Sequence, residues 1–110
     1  MNENQKIGKM GEEFAAGVLT AKGFELLGRN YTCPYGEIDL IVRRNRVISF
    51  IEVKTRTGDL CGEPAEAVTI EKQRHIKNAA RHYLASCRWF FTRIEFKIME
   101  IKVEEIGMLE

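Results

Sequence analysis

The chain has 110 residues, of which 45% are hydrophobic and 30% charged, and its formal net charge is +1. That length supports one hydrophobic core and is too short for two, and the composition is that of a folded globular chain rather than a disordered one. A charge so near zero excludes capture of a polyanion by bulk electrostatics, and every long apolar run is broken by charge before it could span a bilayer.

Three cysteines, Cys33, Cys61 and Cys87, are odd in number, widely spaced and without a C-x-x-C pair or a secretory leader. They predict free buried thiols in a reduced, cytoplasmic compartment rather than disulfides or a zinc site built with His75 and His82.

From about Asn4 to Lys22, Ile7, Met10, Phe14, Val18 and Ala21 recur at three- and four-residue steps. This predicts an amphipathic helix that Gly23 stops. At 100° per residue Glu13 falls on its polar side, whereas Glu12 lies at the border of the apolar stripe. There Gly8 and Ala15 would let another backbone approach, so Glu12 is the acid expected to point toward the interior edge. Phe24 to Tyr31 reads as a first strand and Thr32 to Gly36 as a turn.

A hairpin follows. Gly36 to Val42 and Val47 to Lys54 are rich in β-branched and large apolar residues, and the polar Arg43 to Arg46 joins them. Alternation places Glu37, Asp39 and Ile41 on one side of the first arm and Ile38, Leu40 and Val42 on the other. In the second arm Glu52 and Lys54 share the side of Ile48 and Phe50. Two carboxylates and an ammonium are thus carried on an apolar surface, where burial costs several kcal/mol per charge unless they are paired or bind a cation. From Thr55 to Ala67 the chain holds Gly58, Gly62 and Pro64 without a period, as a loop would.

Thr69 is the expected N-cap of a second helix to about Ser86, with Ile76, Ala79, Ala80, Tyr83 and Cys87 as its apolar stripe and Gln73 on the same side. Its polar face carries Lys72, Arg74, Lys77 and Arg81. With Arg43, Arg44, Arg46, Lys54 and Arg56 these form a basic side suited to local phosphate contact. Trp89 to Ile98 and Lys97 to Val103 are β-prone, as one long strand or two short ones. The two-strand reading gives an α/β domain in α-β-β-β-α-β-β order, a mixed central sheet flanked by helices.

Asp39, Glu52 and Lys54 have the makeup of a hard-cation site. Mg²⁺ takes oxygen ligands, commonly one or two carboxylates with waters and substrate phosphates, and the Val53 carbonyl would offer one more oxygen. Such an ion polarises a phosphodiester, and Lys54 would position the attacking water or stabilise the pentavalent phosphorus. An Asp followed by E-x-K is weak alone, because Glu and Lys are abundant. Glu12 upstream and Gln73 downstream strengthen it.

Gly8-Lys9-Met10-Gly11-Glu12, Arg29-Asn30-Tyr31, Gly36-Glu37-Ile38-Asp39-Leu40-Ile41, Phe50-Ile51-Glu52-Val53-Lys54-Thr55-Arg56 and the Ala67-Val68 to Lys72-Gln73 stretch closely resemble the YraN family of small, uncharacterised bacterial proteins. That family is similar to the restriction-endonuclease-like, PD-(D/E)XK nucleases and in particular to archaeal Holliday-junction resolvases. The resemblance implies a single restriction-endonuclease-like domain over residues 1–110 in which Asp39 and Glu52 hold Mg²⁺, with Mn²⁺ as a substitute. It further implies that Lys54 assists the water, Glu12 joins the metal through water, and Gln73 supports the site. Branched or distorted DNA is the implied substrate and a homodimer the implied assembly. Ile38 stands where the group's name-giving proline would be, and Glu95-Phe96-Lys97-Ile98 stands where the family tends to Arg-Phe-Asp-Val.

Two other readings stay open at this level: a nucleic-acid-binding module with a nuclease fold and no turnover, and a protein-interaction unit whose charges form a structural ion-pair network.

Overall fold

A computed structural model of the chain describes residues 1–57 and 69–103. Six elements follow in the order α1 (Glu3–Ala21), β1 (Glu25–Cys33), β2 (Gly36–Arg44), β3 (Val47–Thr57), α2 (Ile70–Ala85) and β4 (Arg93–Val103). The strands make one mixed sheet in the order β1-β2-β3-β4. Neighbours β1/β2 and β2/β3 are antiparallel, as hairpins must be, and β3/β4 is parallel, so the connection between them crosses over through α2.

Local chemistry sets the boundaries. At the start of α1 the Asn2 side chain accepts from the Gln5 N–H and the Gln5 side chain accepts from the Asn2 N–H, a reciprocal capping box. Lys22 closes α1, and Gly23 then takes φ +92°, a conformation that side chains with a Cβ rarely adopt. Thr69 caps α2 by accepting the Lys72 N–H at 3.1 Å. The β2/β3 connection is a two-residue turn, Asn45-Arg46, with both φ values positive, and its twist matches that of the paired strands.

The two helices lie on opposite faces. Leu40, Val42 and Ile51 pack with Ala15, Ala16 and Leu19 of α1, while Ile38, Ile41, Ile48 and Phe50 pack with Ala79 and Ala80 of α2. Burying each of the large side chains contributes about 1.5 to 3 kcal/mol, so the two clusters together clamp the sheet between its helices. No helix among the described residues is long and apolar enough to cross a membrane. Cys33 and Cys87 are free thiols, half-buried beside the α2 cluster. Cys61 lies outside the described residues.

Several expectations are corrected. The buried side of α1 is Gly11, Ala15, Ala16 and Leu19, and Met10 and Phe14 are 61% and 60% exposed. Small residues win this face because α1 sits so near β3 that a Cβ on Gly11 would lie 1.9 Å from Thr55 Oγ1. Gly8 has nothing within 4 Å, so the close approach is at Gly11 rather than at Gly8. Ile38 shares a face with Ile41 rather than with Leu40 and Val42, because the alternation slips at Asp39. The first strand begins at Glu25 and runs on to Cys33, leaving Pro34-Tyr35 as the turn. Strand β3 continues through Thr55 to Thr57, and the remainder of the expected loop lies outside the described residues. Of the two alternatives at the end the single long strand holds, β4, whose pairing with β3 runs unbroken through Lys97, so the last two strands of the α-β-β-β-α-β-β order are one.

The Gly11 contact opposes two effects of known size. Alanine gains about 1 kcal/mol of helix propensity over glycine, whereas forcing a methyl into a packed contact costs about 1 to 3 kcal/mol. Rotation of the threonine moves Oγ1 and Cγ2 but leaves its Cβ at 3.0 Å. Gly11→Ala should therefore lower stability by up to about 2 kcal/mol in urea denaturation. A raised midpoint would refute the close packing of α1 on β3.

Candidate active site

The β2/β3 ladder runs in register from Arg44↔Val47 to Leu40↔Ile51 and stops there. One residue further on, the Asp39 side chain takes the place of backbone pairing, its Oδ2 accepting the Val53 N–H at 2.7 Å. That is the short distance of a charge-assisted bond. On the other side, Asn30 of β1 sits between the pairs Arg29↔Leu40 and Tyr31↔Ile38 with φ +49°, so the strand flanking Asp39 is irregular too. The sheet splays at this end, and side chains from three elements meet in the opening.

Glu12 from α1 and Glu37 and Asp39 from β2 each bring a carboxylate oxygen within 4.8 Å of the others. With its nitrogen turned toward them, the Asn30 side chain donates to Glu12 at 3.1 Å and to Glu37 at 3.3 Å. Glu52 holds Lys54, Nζ to Oε1, at 3.1 Å. Its second oxygen, Oε2, is buried with no hydrogen-bond partner among the described residues, a costly state for a carboxylate oxygen.

Protonation follows from this crowding. Burial raises the pKa of Asp39 above the ordinary carboxylate value, and the negative charges of Glu52 and Glu37 push the same way, against the Val53 N–H and Lys54. Glu12 is raised as well, by burial first and then by Asp39 and Glu37, with Arg29 opposing. Like charges this close cannot all ionise freely, and either a shared proton or a cation relieves them.

Asp39 and Glu52 look out on two sides. On the α1 side they line a cavity of about 400 Å³ with Asn4, Ile7, Gly8, Glu12, Lys54 and Thr55. On the α2 side they line another of about 440 Å³ that also reaches Gln73. The structure therefore brings together Glu12, Asp39, Glu52 and Lys54. Gln73 is exposed near the start of α2, on the wall of the second cavity, rather than on the buried stripe. The N–H of Val53 is committed to Asp39. Glu37 and Asn30 are the residues that sequence reasoning did not assign to the site. Alternation had already set Glu37 beside Asp39. Asn30 stands in the motif Arg29-Asn30-Tyr31, and asparagine takes positive φ more readily than other residues with a Cβ, but no periodicity shows that its amide is aimed at the acids.

The basic side divides in two. Arg43 lies over Trp89 at 4.3 Å, Arg44 over Phe24 at 4.1 Å and Arg46 over Phe90 at 5.3 Å, all at the hairpin-turn end of the sheet. Seven residues of extended strand, about 23 Å, separate that turn from Lys54. Lys72, Arg74, Lys77 and Arg81 are exposed on α2, and Lys72 and Lys77 line the second cavity.

Residues 11–101, which include Glu12, Asn30, Glu37, Asp39, Glu52, Lys54 and Gln73, match the family described as "Uncharacterised protein family UPF0102". A UPF0102 protein of Dictyoglomus turgidum is 44% identical over 104 residues, covering 94% of this chain and 88% of that protein. One from Syntrophomonas wolfei is 44% identical over 102 residues, covering 93% and 89%, and one from Clostridium perfringens is 42% identical over 98 residues, covering 89% and 80%. The chain belongs to the UPF0102 family, which is the YraN family whose motifs its sequence resembles.

Proposed function

We propose that this protein is a divalent-cation-dependent endonuclease that hydrolyses phosphodiester bonds in DNA, at branched or distorted structures. The observation that carries the reading is the convergence of Glu12, Glu37 and Asp39 within 4.8 Å beside the Lys54–Glu52 pair, where the sheet splays. Oxygen-only donors, a raised pKa on two of them and a buried Glu52 oxygen with no partner among the described residues fit a hard cation. Asp39, Glu12 and Glu37, with Glu52 adjoining, would hold Mg²⁺ or Mn²⁺, which supplies Lewis-acid stabilisation of charge developing on phosphate oxygens.

The chain's own groups do the rest. Asp39 is fixed by the Val53 N–H, so its other oxygen has a set direction. The Lys54 ammonium, held by Glu52, has donors left for a water or a phosphate oxygen at the mouth of the cavity. The exposed cations of α2 supply phosphate contacts along one approach. Resemblance to Holliday-junction resolvases supports branched DNA as substrate and a homodimer as the acting form.

Labelled duplex, flap and four-way DNAs incubated with the protein and Mg²⁺ or Mn²⁺ test this. The wild type should cleave at least one of them, Asp39→Asn should not, and Lys54→Ala should cleave about a hundredfold more slowly. Absence of cleavage by the wild type, with DNA still bound, would leave a binding module without turnover.

Thermal stability gives a second check. The raised pKa values of Asp39 and Glu12 mean that the folded state keeps protons which the unfolded state has released. Their contribution to stability is then full below the unfolded carboxylate value and is lost as pH rises through the higher folded value. Without divalent ions, Asp39→Asn should melt higher than the wild type at neutral pH and show a weaker decline as pH rises from the acid side. Adding Mg²⁺ should raise the wild-type melting temperature and leave the variant's nearly unchanged. A variant that melts lower than the metal-free wild type would refute the electrostatic repulsion.

A further inference from the structure

The two cavities onto which the acids open differ in kind. The one on the α1 side presents Asn4, Glu12, Lys54 and Thr55, groups suited to water and phosphate. The one on the α2 side is walled by Ile38, Phe50, Ile76, Phe96 and Ile98, with Asp39 and Glu52 at one edge and Lys72 and Lys77 among its lining. Phe50 is 1% exposed, and Phe96 stacks on it with ring centroids 5.6 Å apart and 25° between planes. Phe96 is nevertheless 41% exposed and Ile98 47%. One face of the Phe96 ring is therefore covered by Phe50, and the partly exposed ring forms part of the cavity wall.

To a phosphate only the lysines of this lining offer anything, and its apolar, aromatic part offers nothing. A nucleobase does fit it. Its flat face stacks on an aromatic ring whatever its identity, and the phosphate attached to it is drawn by nearby lysines. The volume, about 440 Å³, lies within the range of pockets that enclose small organic ligands.

We infer that the cavity between β3, β4 and α2 takes an unstacked nucleobase on the partly exposed ring of Phe96, so that the substrate is nucleic acid carrying an unpaired or everted nucleotide beside the bond at the acids. This deepens the nuclease reading and rests on it. The placement has a simple logic: Phe50 anchors Phe96, Phe96 seats the base, and the chain of the bound strand then runs past Lys72 and Lys77 toward Asp39 and Glu52. The competing occupant is a second copy of this chain laid on β4, which is an edge strand carrying Ile94, Phe96 and Ile98 partly exposed.

The test is equilibrium binding, by fluorescence anisotropy with Ca²⁺ in place of Mg²⁺, of a short labelled oligothymidylate and of a blunt duplex of equal length. Phe96→Leu keeps an apolar side chain on Phe50 but removes the ring. It should weaken oligothymidylate binding about tenfold or more and change duplex binding little, while Phe96→Trp should bind as the wild type does. In a Trp89→Phe background, the indole of Phe96→Trp should be quenched by the oligomer. Sedimentation should be the same for all variants. Equal oligothymidylate affinity for Phe96→Leu and wild type would overturn the inference. So would a loss that tracks dissociation of a dimer, which would assign the face to a second copy. Cleavage of every DNA by Phe96→Leu at the wild-type rate would sink the base pocket and leave the metal centre standing. Phe96-dependent binding by a wild type that cleaves nothing would sink the nuclease reading and leave the pocket.

Discussion

The bond from the Val53 N–H to the Asp39 carboxylate is the constraint around which this fold is arranged. Between two antiparallel strands every second residue normally exchanges backbone hydrogen bonds with its partner. Here a side chain answers for the backbone, and the consequences propagate outward. Regular pairing of β2 with β3 ends at Leu40↔Ile51, the inward alternation slips so that Ile38 joins the α2 cluster, and the strand ends part. A carboxylate that would otherwise stand on one face of a closed sheet instead reaches cavities on both sides.

Such an opening is unfavourable locally, and the rest of the molecule holds it in place. Beside it, Leu40, Ile41, Val42, Ile48 and Phe50 are all at most 1% exposed. At about 1.5 to 3 kcal/mol each, their burial outweighs the strain of three neighbouring acids. Helix α1 is drawn against β3 by the Gly11–Thr55 contact, and Glu12, the next residue, is thereby delivered to the cluster. The position of the first acid is set by the smallness of the residue before it. The pKa values of Glu12 and Asp39 are raised by burial first and then by the neighbouring acids, so the cluster is held by the surrounding packing and not by its own charges.

Much of this was legible in the sequence where a single period governed. On the α2 stripe Ala79, Ala80, Tyr83 and Cys87 pack as their spacing indicates while Ile76 lines a cavity, Thr69 caps that helix, and Ile51 and Val53 oppose Ile48 and Phe50 as strand alternation requires. Reading failed where two rules competed. On α1, hydrophobicity favoured Met10 and Phe14, but close approach of a helix to a sheet selects for small size, so Gly11, Ala15 and Ala16 are inside. At Ile38 the alternation was broken by a side-chain hydrogen bond that no periodicity encodes. The basic residues near the hairpin turn looked like a phosphate surface in one dimension. In three they lie over Trp89, Phe24 and Phe90, where each such pair is worth about 0.5 to 1 kcal/mol, far from the acids.

That separation bears on how a polyanion would meet a chain of net charge +1. Attraction must be local, because the whole surface provides almost none. Near the acids, Lys54 is tied to Glu52 and Arg56 to Glu100, so the cations of β3 serve mainly to hold carboxylates in place. The cations of α2 are exposed, and Lys72 and Lys77 line the cavity on which Asp39 and Glu52 also open. Cations, aromatic wall and acids thus line one cavity, and that juxtaposition follows from one parallel crossover: α2 spans from the end of β3 to the start of β4 and brings Lys72 and Lys77 to the cavity that Asp39 and Glu52 also line.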